Sequence, residues 1–184
     1  EFLCAPRLDN LLSVYSSLNA IINATPKDIA VCCCFDNEEV GSETKQGAAS
    51  NILSTLLRKI NRAFMKNDDD FTFATENGVL LSSDNAHAVH PSFPEKSDVT
   101  EKVYLNKGVV IKHHVNYSTD ALSSAVVKTL LKNENIEVQD YYNNSDVRCG
   151  STIGLVTSAD LNMNACDVGI AQLAMHSGVE TAGA

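Results

Sequence analysis

Apolar side chains at Leu8, Leu11, Leu12, Tyr15, Leu18, Ile21 and Ile22 follow the spacing of a helix with one buried stripe over residues 8–24. Pro26 closes that helix. Residues 29–35 form a continuous apolar run, the pattern of a strand buried on both faces. A polar stretch, 36–42, follows it. Residues 47–64 return to helical spacing, with Ile52, Leu53, Leu56, Leu57 and Ile60 on the inner side. The run Lys66-Asn67-Asp68-Asp69-Asp70 is expected to be a charged surface turn. Downstream, the pattern predicts strands at 79–83, 108–112, 136–139 and 164–168, and helices at 119–132 and 151–161. Ser118 or Thr119 is the expected cap of the first of these helices.

Strands alternating with helices imply an α/β fold: a three-layer α/β/α sandwich around a mostly parallel or mixed sheet. In such sheets the ligand groups collect in loops at the carboxyl ends of strands. There is no internal repeat and no low-complexity linker, so the 184 residues are read as one domain.

Composition narrows the function classes. A net charge of −9 argues against nucleic acid or an anionic membrane surface as partner, since both select for basic patches. No apolar run approaches the length of a membrane span. The six cysteines include the consecutive Cys32, Cys33 and Cys34, which cannot form an ordinary disulfide framework because neighbours on a strand point to opposite faces. They are expected to be reduced, small, buried hydrophobes, which points to the cytosol. No CxxC pair occurs, so a thiolate zinc site has no support. The opening, Glu1-Phe2-Leu3-Cys4-Ala5-Pro6-Arg7, lacks an initial Met and reads as the middle of a longer protein, so a fragment or processed product is expected.

Four polar clusters stand at element ends: Asp9, the Glu38-Glu39 pair, Asp84 with His87 and His90, and His176. Taken singly, each has an ordinary explanation as a helix-start acid, a solvated loop or a surface histidine. Together they have another. Two carboxylates side by side after a buried strand are costly unless something satisfies them. Adjacent residues diverge in direction, so one can bind a metal while its neighbour takes a proton from metal-held water. Carboxylates with one imidazole suit zinc or manganese.

Five segments occur in order: Ala5-Pro6-Arg7-Leu8-Asp9-Asn10; Phe35-Asp36-Asn37-Glu38-Glu39-Val40-Gly41-Ser42; Ser83-Asp84-Asn85-Ala86-His87-Ala88-Val89-His90-Pro91; Cys149-Gly150-Ser151-Thr152-Ile153-Gly154; and Gln172-Leu173-Ala174-Met175-His176-Ser177. Together they resemble the aspartyl aminopeptidase family of dinuclear zinc exopeptidases, which includes the yeast vacuolar aminopeptidase. The resemblance implies that Asp9 bridges two zinc ions, one of them exchangeable for manganese or cobalt. It implies Glu38 as general base, Glu39 and His176 as ligands of one zinc, and Asp84 as ligand of the other. Lys112 matches the lysine that pairs with an acidic substrate side chain. Without the family it would be read as a strand-end lysine. His87 is implied as an active-site histidine that orients Asp84 or touches substrate, and His90 as outer support for the ligands. Expected partners are peptides with an acidic amino-terminal residue and other copies of the chain, in a cytoplasmic or, alternatively, vacuolar setting.

The chain departs from the family pattern in three ways. A further histidine ligand and an inserted dimerisation domain precede the point where this chain begins, and the family's chain runs on past His176, so the catalytic domain is expected to be incomplete at both ends. The loop after Lys112 is shorter by about two residues. Leu155 and Ala171 stand where the family usually has proline, and Gly178-Val179 where it has isoleucine-arginine. Two further expectations stay open beside the acidic-residue aminopeptidase: a catalytically incompetent relative or fragment with a binding or assembly role, and a vacuolar-type enzyme preferring neutral residues.

Overall fold

Two four-stranded mixed sheets organise the chain in the computed structural model, which describes residues 1–184. The larger sheet has the order β2-β6-β4-β5, built from β2 (Val79–Ser83), β4 (Val109–His113), β5 (Val138–Tyr142) and β6 (Asn164–Gly169). β2 runs parallel to β6 and β4 parallel to β5, while β4 and β6 are antiparallel, with Ile111 opposite Val168. The smaller sheet has the order β1-β8-β7-β3, from β1 (Phe2–Ala5), β3 (Ala86–His87), β7 (Ala171–Leu173) and β8 (Glu180–Gly183). The expected α/β class with a mixed sheet stands. The second sheet is an addition, because its strands are too short to show a period.

Five helices complete the order: α1 (Leu8–Asn23), α2 (Ile52–Ala63), α3 (Asp68–Glu76), α4 (Ala121–Asn133) and α5 (Gly154–Leu161). Val127 and Leu131 of α4 pack against Ile111, Cys166, Val138 and Val168 of the larger sheet. Leu53, Phe71 and Leu161 bring α2, α3 and α5 into a second cluster. No helix is long and apolar enough to cross a membrane.

Local chemistry sets the helix starts. The run expected as a charged turn instead begins α3. The Asn67 side chain accepts from Asp70 N at 2.9 Å and Asp70 accepts from Asn67 N at 2.9 Å, a reciprocal cap, and three aspartates in the first turn favour the positive helix end. Asp120, not Ser118 or Thr119, caps α4 by the same device with Ser123. Helices α2 and α5 start later than the apolar spacing predicts, at Ile52 and Gly154.

The largest departure is the apolar run 29–35. It forms no strand and lies largely on the surface, with Ile29 74% and Val31 52% exposed. A strand exists only through a hydrogen-bonded neighbour, and no strand of this chain runs beside it. Of the cysteines, Cys166 is buried, Cys32 and Cys149 are half-buried, and Cys4, Cys33 and Cys34 are exposed, which corrects the expectation of burial; all six are free. Along α1, only Leu8 and Ser13 are fully buried while Leu11, Tyr15, Leu18 and Ile22 face outward. The accessible surface of 11653 Å² exceeds the roughly 8,600 Å² expected of a compact monomer of this mass, so these apolar stretches stay open.

β6 also fixes the site. A Cβ at Gly169 would drive into the Asp84 carbonyl, so only glycine admits the loop that carries Asp84. Gly169→Ala is expected to destabilise the chain by about 1–3 kcal/mol, lowering the thermal unfolding midpoint by several degrees. An unchanged midpoint would show that the loop yields freely.

Candidate active site

Each acidic cluster reaches one cleft of about 460 Å³ from a different element. Asp9 leaves the start of α1 on non-helical backbone (φ −81, ψ 108), so its side chain leaves the helix stripe. Its carboxylate is nearly covered, and Oδ2 lies 3.1 Å from His176 Nε2. The same imidazole nitrogen lies 2.9 Å from Glu39 Oε1. One ligand atom from each of Asp9, Glu39 and His176 falls within 4.8 Å of the others. Asp9 Oδ1 is buried with no hydrogen-bond partner. Buried carboxylate oxygens are rarely left bare, so an unpartnered oxygen beside two further donors fits a cation.

Glu38 and Glu39 sit on the turn that follows Asn37, where the backbone takes positive φ at Asn37, Gly41 and Ser42. Glu38 is half-buried. Burial, then Asp84 and Glu39, raise its pKa above the ordinary glutamate value. Burial raises Asp9 further, to about 7, helped by Asp84 and Glu39 and opposed by His176.

Asp84 follows β2, and its backbone N donates to Val168 O at 2.9 Å. Its Oδ2 accepts from Lys112 Nζ at 2.9 Å. Lys112 is 3% exposed, enclosed on β4, and its ammonium stands 5.5 Å from the Tyr117 ring centre. His87, on β3, lines the cleft with its pKa lowered by burial and by Lys112 and His176. His90 also lines the cleft but bonds none of these groups; its Nδ1 accepts from Ser92 N at 3.1 Å. Thus the structure gathers Asp9, Glu38, Glu39, Asp84, His87, Lys112 and His176, while His90 stands apart from the carboxylates.

Several supporting residues escaped the sequence reading. Glu180 is 2% exposed and clamps two functional residues at once, accepting Asp9 N at 2.8 Å and His176 N at 2.6 Å. Asn85 donates to Leu8 O at 2.8 Å and Gln172 Oε1 at 2.6 Å, tying the start of α1 to both short strands. Asn10 donates to Ser83 O at 2.8 Å. Asp167, wholly buried on β6, accepts Ser118 N and Oγ, each at 2.6 Å, and the Thr152 hydroxyl. It thereby anchors the two loops that carry Tyr117 and Gly150-Ser151 along the cleft wall. A charged residue inside an apolar strand pattern was the available signal for Asp167. Glu180 offered none.

This arrangement, carboxylates with one imidazole converging at strand ends around an unpartnered buried oxygen, defines a metal-site α/β protein. Across residues 1–184 the chain matches the family described as Aminopeptidase I zinc metalloprotease (M18), and it belongs to that family. The probable M18 family aminopeptidase 2 of Clostridium novyi is 44% identical over 180 residues, covering 96% of this chain and 42% of the relative. The crystal structure of the M18 family aminopeptidase from Thermotoga maritima superposes with a TM-score of 0.92 at 26% identity, covering 99% of this chain and 42% of that one. The mApe1 dodecamer of S. cerevisiae gives 0.85 at 30% identity, covering 99% and 42%. The chain therefore spans about two-fifths of the length of these relatives.

Without metal, Asp9 with its raised pKa holds a proton longer folded than unfolded. The folded state then binds more protons between the ordinary aspartate range and pH 7, so stability falls as pH rises through that window. The metal-stripped protein is expected to melt at higher temperature at pH 5 than at pH 7, and Asp9→Asn to flatten the difference. A midpoint that falls on acidification in both proteins would contradict it. Glu180→Ala is expected to weaken zinc binding about 10- to 100-fold in a competition titration with a chelating dye.

Proposed function

We propose that these 184 residues are part of the catalytic domain of an aminopeptidase that removes acidic amino-terminal residues by metal-assisted hydrolysis. One observation carries the reading: Asp9, Glu39 and His176 offer three donor atoms within 4.8 Å of one another, beside the partly buried Glu38. Asp9, Glu39 and His176 would hold one zinc ion, and Asp9 with Asp84 would contribute to a second. Bound there, zinc supplies an acidified water and an electrophilic centre for the scissile carbonyl.

The chain's own groups do the rest. Glu38 takes the water's proton and returns it to the leaving amine, and its raised pKa brings it closer to the range in which a carboxyl can do both. Its neighbour Glu39, with Oε1 2.9 Å from His176 Nε2, would instead be a holder of the metal. Lys112 presents an enclosed ammonium to the cleft. An acidic substrate side chain there takes up a charge that Asp84 otherwise neutralises. His87, its pKa lowered by burial and by Lys112 and His176, lies on the same wall for contact with the first residue.

The dodecameric neighbour supports a homo-oligomer of the full-length protein. Six unpaired cysteines fit a reducing, cytoplasmic setting.

In the full-length enzyme, Glu38→Gln is expected to cut hydrolysis of an aspartyl dipeptide by at least about 10²-fold while bound zinc, measured by mass spectrometry, stays unchanged. Loss of zinc in that variant would remove Glu38 from the role of base. Lys112→Ala is expected to lower kcat/KM on aspartyl and glutamyl substrates about 10- to 100-fold and to leave leucyl substrates nearly untouched. An enzyme already faster on leucyl substrates, with Lys112→Ala indifferent to the side chain, is of the vacuolar type with a neutral preference.

A further inference from the structure

The cleft changes sign along its depth. Asp9, Glu38 and Asp84 lie part-buried in it, with Lys112 paired to Asp84, while Lys96 and Arg148, which also line it, are exposed at its mouth. In a protein of net charge −9, two cations at one mouth call for a partner. Neither forms an ion pair within 4.0 Å, although Glu95 and Asp146 are close in sequence. The Lys96 ammonium rests 5.0 Å over the Phe93 ring. Arg148 is exposed at the junction of the cleft with a second, open pocket of about 750 Å³ that includes His114.

The two loops that carry these cations are tied together, although neither cation lies on a strand or an α-helix. Asn144 Nδ2 donates to Glu95 O at 2.9 Å and to Ser97 O at 3.1 Å, bracketing Lys96. Ser97 and Asn143 form a bridge between the two loops. Asn143 in turn accepts from Tyr141 Oη at 3.0 Å and donates to the Val147 carbonyl, next to Arg148. These cross-ties join the two loops that bring Lys96 and Arg148 to the cleft.

We propose that Lys96 and Arg148 form a subsite for a carboxylate that the substrate carries beyond the scissile bond. The inference rests on the aminopeptidase reading. A short peptide has its ammonium at one end and carboxylate at the other. An acidic floor draws the amine inward and a basic mouth holds the carboxylate outward, so the charge gradient orients the peptide for removal of its first residue. The guanidinium suits a carboxylate because its paired donors match the two oxygens. Lys112 does not serve this end of the peptide, since it stands enclosed beside Asp84, where the proposed function places the side chain of the first residue.

The test uses the full-length zinc-loaded enzyme and three tripeptides with the same acidic first residue: a free acid, its carboxy-terminal amide, and an amide with glutamate at the third position. Expected is a kcat/KM about tenfold higher for the free acid than for the plain amide, carried by KM and shrinking with added salt. In the double variant Lys96→Gln, Arg148→Gln that ratio falls to about one. Recovery by the glutamyl amide assigns the site to acidic side chains as well; no recovery assigns it to the chain terminus. Equal handling of acid and plain amide by the wild type overturns the subsite, as does an equal loss on both substrates in the variant. If the wild type hydrolyses none of them, the aminopeptidase reading fails instead. Calorimetric binding of the acid and the amide to wild type and variant then decides the subsite by the same ratio.

Discussion

Carboxylates converging on a cleft repel one another, and most of what surrounds this site follows from that constraint. Unit charges 4.8 Å apart, the spread of the Asp9, Glu39 and His176 donors, interact by about 3.5 kcal/mol at an effective dielectric of 20, less where Glu39 is open to water. Asp84 and Glu38 add to the field. The chain meets it with the Lys112 ammonium on Asp84 and with the His176 imidazole between Asp9 and Glu39. The remainder shows in the raised pKa of Asp9 and Glu38 and in the unpartnered Asp9 oxygen. Divalent cations are what such a field accommodates best.

Holding repelling groups in place needs a rigid frame, and here it is built from buried polar side chains rather than from apolar packing. Glu180 fastens the backbones of Asp9 and His176, residues far apart in sequence, with two hydrogen bonds from one carboxylate. Asn85 with Gln172 couples the start of α1 to β3 and β7, and Asp167 secures two loops of the cleft wall. Each is almost wholly buried. Buried polar groups favour a fold where their partners are present, and here the bonds of Glu180, Asn85 and Asp167 fix the geometry while Gln172 Nε2 stays without a partner.

The outer surface contrasts with that frame. The stripe on α1 and the run 29–35 are apolar and open, and the whole surface is larger than a closed domain of this mass needs. The chain spans about two-fifths of the relatives it matches, so its catalytic reading belongs to the longer protein.

The sequence by itself determined the α/β class, the positions of most helices and of the long strands, and the identity of the chemical groups, because periodicity and motif order are local properties of the chain. Glu38-Glu39, Asp84 and His176 were legible for that reason. The second sheet, the helix inside the acidic run 66–70 and the fate of residues 29–35 were not, since short strands carry no period and an apolar run becomes a strand only beside a neighbour. Nor did spacing disclose Glu180 as the clamp between Asp9 and His176, or Lys112 as the partner of Asp84. Asp9 and Glu180 stand 171 residues apart and Asp84 and Lys112 28 apart, on different elements, and a hydrogen bond between such residues is decided by how the sheets close and by nothing in the local pattern.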